Sequence, residues 1–138
     1  MLDQVRIFDL PSVADDRGTL TAVESRSDIP FSIARIFYMH HVKADRGGHA
    51  HKDTDQVLIA IAGEWQVDLF DGRSMVSYHM NDPTKGLYVP REVFIELSRF
   101  TNQAVCLVLA SDHYDMSRSL RNRADYIAYM AQTEQGNR

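Results

Sequence analysis

Short apolar or alternating runs, separated by turn residues, recur from Val5 to Ala110. Val5–Leu10 alternates weakly and stops at Pro11, and Asp15-Asp16-Arg17-Gly18 is a turn signal before the β-rich Thr19–Glu24. Ser27–Pro30 breaks the chain, and Ile33–Val42 is rich in β-branched and aromatic residues, which predicts a strand. Val57–Ala62 is wholly apolar and predicts a strand buried on both faces. Glu64–Phe70 alternates into the hairpin turn Asp71-Gly72, with Ser74–Met80 as the returning strand. After the loop Asn81–Gly86, the segments Leu87–Pro90, Phe94–Phe100 and Val105–Ala110 complete the β pattern. From Asp115 to Met130 the composition shifts to Arg, Ala, Met, Tyr and Leu, which predicts a helix, and the polar 132–138 is expected to fray. The pattern predicts an all-β sandwich or jelly roll with a short helical C-terminal tail. No repeat or linker divides it, so residues 1–138 read as one domain, with a β region over about 1–114 and a tail over about 115–138.

Composition narrows the function classes. The chain has 138 residues, 44% hydrophobic and 25% charged, which is an ordinary globular balance with room for a core. A net charge of −4 argues against a non-specific nucleic-acid binder, so affinity for an anionic ligand must come from local arginines. The single Cys106 lies in an apolar run and reads as a buried, inert thiol, which excludes a disulfide framework and a multi-thiolate zinc site. No apolar stretch approaches the roughly 20 residues of a membrane span. A cytoplasmic location with no membrane association is expected.

The candidate chemistry sits in Arg46-Gly47-Gly48-His49-Ala50-His51-Lys52, followed by Gln56 and Gly63. On a strand, His49 and His51 project from one face, roughly 6–7 Å apart at the backbone. Such a pair either binds a metal or moves protons. The other histidines, His40, His41, His79 and His113, lack this spacing and read as structural or solvated.

The stretch resembles the first motif of the cupin superfamily: His-x-His, three or four residues, Glu, six residues, Gly. Here four residues precede Gln56 and six more precede Gly63. The metal-binding version of that motif carries a carboxylate where this chain has Gln56, and a further histidine where it has Ile95. Asp53 or Asp55 remain as substitutes, but the departures favour proton transfer over metal binding.

A narrower resemblance spans nearly the whole chain. It rests on Asp16-Arg17-Gly18-x-Leu20, Glu24, Ile29-Pro30-Phe31-x-Ile33, Arg35–Tyr38, Arg46–Lys52, Gln56–Ile59, Asp71-Gly72, Gly86–Val89 and Leu107–Ser111 with Tyr114-Asp115. With these pieces the chain resembles the WxcM-like sugar 3,4-ketoisomerases acting on dTDP-4-keto-6-deoxyglucose, which are small cupins. The resemblance implies a cupin-type double-stranded β-helix (jelly roll) and a homodimer. It also implies conversion of a dTDP-linked 4-keto-deoxy sugar to its 3-keto isomer through an enediol, with no metal and no organic cofactor. The roles assigned on it are His49 as principal base, His51 as relay or orienting group, with the two histidine roles exchangeable as far as the sequence goes, and Tyr38 as a hydroxyl donor near the developing oxyanion. Arg17, Arg35 and Arg46 are implied substrate contacts, joined by Lys52 and Glu24. Phe37, Phe94 and Ile95 depart from the family pattern, and Met116–Ala124 separates Tyr114-Asp115 from Asp125-Tyr126-Ile127 like an inserted basic segment. Arg118, Arg121 and Arg123 in that segment read as a solvated turn, with contact to an anionic ligand or partner as the alternative. An epimerase on a related keto-sugar nucleotide, or a cupin that only binds one, are the competing readings.

Overall fold

The computed structural model describes residues 1–136. In chain order the strands are β1 (Arg6–Asp9), β2 (Ser12–Asp15), β3 (Gly18–Thr21), β4 (Arg35–Met39), β5 (Arg46–His51) and β6 (Gln56–Ala62). They continue as β7 (Trp65–Phe70), β8 (Met75–Met80), β9 (Lys85–Val89), β10 (Phe94–Ser98), β11 (Val105–Ala110) and β12 (Ser119–Leu120), before helix α1 (Arg123–Gly136). Two five-stranded sheets, ordered β1-β9-β6-β11-β4 and β12-β5-β10-β7-β8, form the expected jelly roll, and β2-β3 stands apart as a hairpin.

Strand alternation decides which side chains meet between the sheets. Trp65, Val67 and Leu69 of β7 are fully buried against Leu58, Cys106 and Val108 of the facing sheet. Strand β6 is buried on both faces, as its uninterrupted apolar run predicts. Leu58 and Ala60 enter this core, while Val57 and Ile59 lie in a second cluster under Leu10, Ile29 and Phe31. Cys106 is wholly buried, and burial pushes its thiol pKa far up, so it stays protonated and unreactive.

Three elements differ from expectation. Strand β2 is absent from the sequence reading, because Ser12–Asp15 is exposed at every position and carries no core-facing alternation. The segment after Asp115 is not a continuous helix. The Asp115 carboxylate caps a single 3-10 turn (Met116–Arg118) by accepting from the Ser117 amide at 3.0 Å, and β12 follows. Helix α1 therefore starts late, at Arg123, but runs to Gly136 where fraying is expected from 132, and residues 137 and 138 lie outside the described part. Tyr126 fixes the helix to the second sheet: it is fully buried against Ala50 and Phe94, and its hydroxyl donates to the Glu92 carbonyl at 2.5 Å. No helix among the described residues is long and apolar enough to cross a membrane.

Candidate active site

The site begins with a fault in the β5–β10 ladder. Gly47 and Gly48 have φ of 85° and 73°, a region costly for any residue with a Cβ. Across the ladder Glu96 pairs with Gly47 and Ile95 with His49, so Gly48 is the extra residue of a bulge. The bulge re-aims the strand beyond it, turning His49 and His51 towards the open end of the barrel while Ala50 packs beneath α1. A Cβ on Gly47 would lie 2.7 Å from the Ile95 carbonyl oxygen. Gly47→Ala should therefore destabilise the fold by about 1–3 kcal/mol and misdirect His49. A lowered Tm together with lost turnover is the expected result, and an unchanged Tm would contradict the close packing.

The two imidazoles stand edge to face with centroids 4.8 Å apart. Both line a cavity of about 230 Å³ with Arg35, Phe37, Tyr114, Ser119 and Arg121. His49 also faces an inner cavity of about 190 Å³, next to Gln56, Ile95 and Arg46. Burial, followed by the positive charge of Arg121, Arg35 and Arg46, lowers the His49 pKa below its usual value. Burial, then His49, Arg35 and Arg121, brings His51 down to about 4. Both rings are thus neutral at pH 7 and free to accept a proton.

Arg35 shares the cavity with this pair. Its guanidinium lies 4.5 Å over the Phe37 ring and 5.0 Å from that of Tyr114. Its Nε is buried without a hydrogen-bond partner. Arg118, Arg91 and Arg123, in contrast, are matched to the carboxylates of Asp53, Asp55 and Glu96. An arginine held by two aromatic rings and without an anionic partner among the described residues is suited to a phosphate or an oxyanion.

A divalent metal does not fit this donor set. Gln56, which is 3% exposed, offers only a neutral amide, and Ile95, the cross-strand neighbour of His49, offers a hydrocarbon. Among the described residues no three His, Cys, Asp or Glu side chains converge on a common point. Asp53 and Asp55 are taken up by Arg118 and Arg91.

Of the residues expected from sequence, His49, His51 and Arg35 share one cavity, and Arg46 reaches His49 from the inner side. The others do not meet there. Tyr38 sits between the inward-facing Phe37 and Met39, so alternation puts it on the outer face of β4, 61% exposed and beside His40. It borders the inner cavity but not the one shared by both histidines. Lys52 falls on the same face of the chain as Ala50, and its ammonium lies 5.0 Å from the Tyr129 ring on α1. Arg17 is at the tip of the β2–β3 hairpin, its side chain 90% exposed and paired with Asp15. Glu24 is exposed in the loop after β3, where its amide donates to Asp28.

Ser119, Arg121 and Tyr114 belong to the site without having been expected there. Arg121 is the departure from the solvated-turn reading, whereas Arg118 and Arg123 are tied into ion pairs. Tyr114 lies in the Tyr114-Asp115 piece of the family resemblance, whereas the signal for Ser119 and Arg121 is the polar-apolar-polar alternation Ser119-Leu120-Arg121, too short to distinguish from a loop.

The family model FdtA, described as WxcM-like, C-terminal, matches residues 3–131. The chain belongs to this family. It is 37% identical over 128 residues to the TDP-4-oxo-6-deoxy-alpha-D-glucose-3,4-oxoisomerase of Aneurinibacillus thermoaerophilus, covering 91% of this chain and 92% of that relative. Its backbone matches the sugar 3,4-ketoisomerase QdtA of Thermoanaerobacterium thermosaccharolyticum, solved with TDP, at a TM-score of 0.91 and 37% identity. That match covers 96% of this chain and 98% of QdtA. A histidine-to-asparagine variant of QdtA, solved with TDP-4-keto-6-deoxyglucose, matches at a TM-score of 0.91 and 36% identity, over 96% and 97% of the two chains. The jelly roll described above is accordingly of the cupin type that this family shares.

Proposed function

We propose that this chain is a sugar-nucleotide 3,4-ketoisomerase, converting dTDP-4-keto-6-deoxyglucose to a 3-keto-6-deoxy isomer in a single catalytic domain. The observation that carries the reading is a pair of neutral imidazoles facing one cavity with an arginine that has no anionic partner among the described residues. The activities of the relatives supply the substrate class.

The C4 carbonyl acidifies the hydrogen on C3. His49 takes that proton, and the C3–H electron pair becomes the C3–C4 double bond of an enediolate whose negative oxygen is the former carbonyl oxygen. Arg35, beside both rings, stabilises this charge or the adjoining pyrophosphate. The proton held by His49, in exchange with solvent, is relayed through His51 to C4, while the C3 hydroxyl's proton passes to the former carbonyl oxygen, so the carbonyl re-forms at C3 and C4 carries a hydroxyl. Arg46 is placed to contact substrate from the His49 side, and no step needs a redox cofactor because hydrogen lost at C3 is balanced by hydrogen gained at C4. Incubation with dTDP-4-keto-6-deoxyglucose should give a 3-keto product by NMR. An inverted centre with the carbonyl still at C4 would make the protein an epimerase, and unchanged substrate would leave only a binding protein.

A homodimer and a cytoplasmic setting are part of this proposal. Val13 and Leu20 on the β2–β3 hairpin are 67% and 66% exposed. Beside the hairpin, a largely apolar groove of about 420 Å³ is lined by Val23, Ile59, Ile61 and Leu107 of the same chain. Exposed apolar surface on an extended hairpin is well suited to a second copy of the chain. In that arrangement Arg17 acts across the interface, since it has no place at the cavity of its own chain. Leu20→Asp should shift the protein from dimer to monomer in size-exclusion chromatography with light scattering, and a dimer of unchanged stability would remove the hairpin from the interface.

A further inference from the structure

We infer that Ser119 is a positioning residue, whose hydroxyl holds the Nδ1 side of His51 and leaves Nε2 as the ring nitrogen that exchanges protons with the cavity. Ser119 is the direct cross-strand partner of His51 in the β12–β5 ladder, and its Oγ lies 3.1 Å from His51 Nδ1. The short strand that carries it is fixed on both sides. Arg118 grips Asp53 through two contacts of 2.6 and 2.9 Å, and Leu120 packs with Ala50, Phe94 and Tyr126. Backbone pairing extends one step further, where the Lys52 amide donates to the Arg118 carbonyl at 3.0 Å.

A neutral hydroxyl orients the ring without adding charge, whereas a carboxylate against Nδ1 would stabilise the imidazolium and raise the pKa of the ring. It also follows the ring through its proton cycle, because it both donates and accepts. When Nε2 accepts a proton, Nδ1 must already carry one, and that N–H donates to Oγ. The Asp115 carbonyl, which can only accept, lies 3.5 Å from Oγ and can take the hydroxyl hydrogen. This extends the ketoisomerase reading to a residue outside the histidine motif, and it rests on that reading only for its kinetic consequence.

The test uses full-length protein with 15N-labelled histidine, wild type beside Ser119→Ala and Ser119→Thr, with His51→Asn to assign the signals. At pH 7 the wild-type His51 ring should show one dominant neutral tautomer, protonated at Nδ1. Ser119→Ala should mix the tautomers and Ser119→Thr should restore the wild-type pattern. In turnover, Ser119→Ala should lower kcat about tenfold with KM within about twofold, since it weakens a transition-state arrangement and leaves substrate binding alone. Unaltered His51 nitrogen shifts in Ser119→Ala would overturn the assignment, as would an unaltered kcat in a preparation whose wild type turns over. Wild-type protein without ketoisomerase activity would sink the reaction and not the positioning, which the nitrogen shifts judge by themselves. The pairing of β12 with β5 runs through the backbone, so the alanine variant keeps its fold, checked by an unchanged Tm.

Discussion

Replacing His49 by Asn should lower kcat by about 10²–10⁴-fold, the usual worth of a positioned general base. Dissociation of dTDP should stay within about threefold of wild type, because the substitution removes a proton carrier and no cation. The expectation follows from three facts taken together. His49 lies at the junction of the cavity shared with His51 and the inner one beside Arg46. Its pKa is lowered by burial and by the surrounding arginines, so the free base predominates at neutral pH. The bulge at Gly47 and Gly48 fixes its direction. Asparagine has a similar polar reach but cannot accept a proton at this pH. Single-turnover kinetics on the variant and calorimetry with dTDP separate the two effects. A kcat within threefold of wild type would remove His49 from the base role, and a large loss of dTDP affinity would mean that it mainly binds.

Arg35→Ala carries the second large effect, and it acts in two ways. A charge-assisted hydrogen bond to phosphate or oxyanion contributes roughly 1.5–3 kcal/mol, so its loss should weaken substrate binding, transition-state binding or both by about ten- to hundredfold. The same substitution removes a positive charge that lowers the pKa of both histidines. Burial is the larger cause and remains, so the pKa values should rise only part of the way towards 6.5. The sign is definite: a histidine acting as base works only when deprotonated. In wild type the acid limb of kcat/KM should lie below the ordinary histidine range, because burial and the nearby arginines lower the pKa of His49, the base. In Arg35→Ala it should move upward, so that activity fails earlier as the pH falls. The other charged groups facing the pair, Arg121 and Arg46, are retained and limit the shift. A downward move of the limb would contradict the electrostatic account, and unchanged kcat/KM would leave Arg35 without a role in the reaction.

The fold was legible wherever burial imprinted a period on the sequence. Val57–Ala62, Glu64–Phe70 and Val105–Ala110 each predict their strand, because one or both faces enter a core. Strand β2 and the short β12 lie where that imprint is missing. The first is exposed along its length, and the second has a single apolar residue, Leu120, between Ser119 and Arg121. The histidine pair was equally legible, since spacing in a strand fixes a common face. Side-chain parity, in contrast, was not. Which face of β4 carries Tyr38, and which side of the chain Lys52 takes just beyond β5, no local pattern shows; Arg35, His49 and His51 share one cavity, while Tyr38 borders only the inner one. Arg121 and Ser119 come from about seventy residues beyond the motif, brought in by a strand register that no local pattern encodes.

The central claim is that two imidazoles in contact with solvent move protons between C3 and C4. The most direct measurement is NMR of the product formed from dTDP-4-keto-6-deoxyglucose in deuterated water. The account predicts a 3-keto sugar nucleotide carrying deuterium at C4, because the proton delivered there comes from a histidine that has exchanged with solvent. A 3-keto product whose C4 holds the hydrogen that began on C3, with no deuterium incorporated, would contradict it.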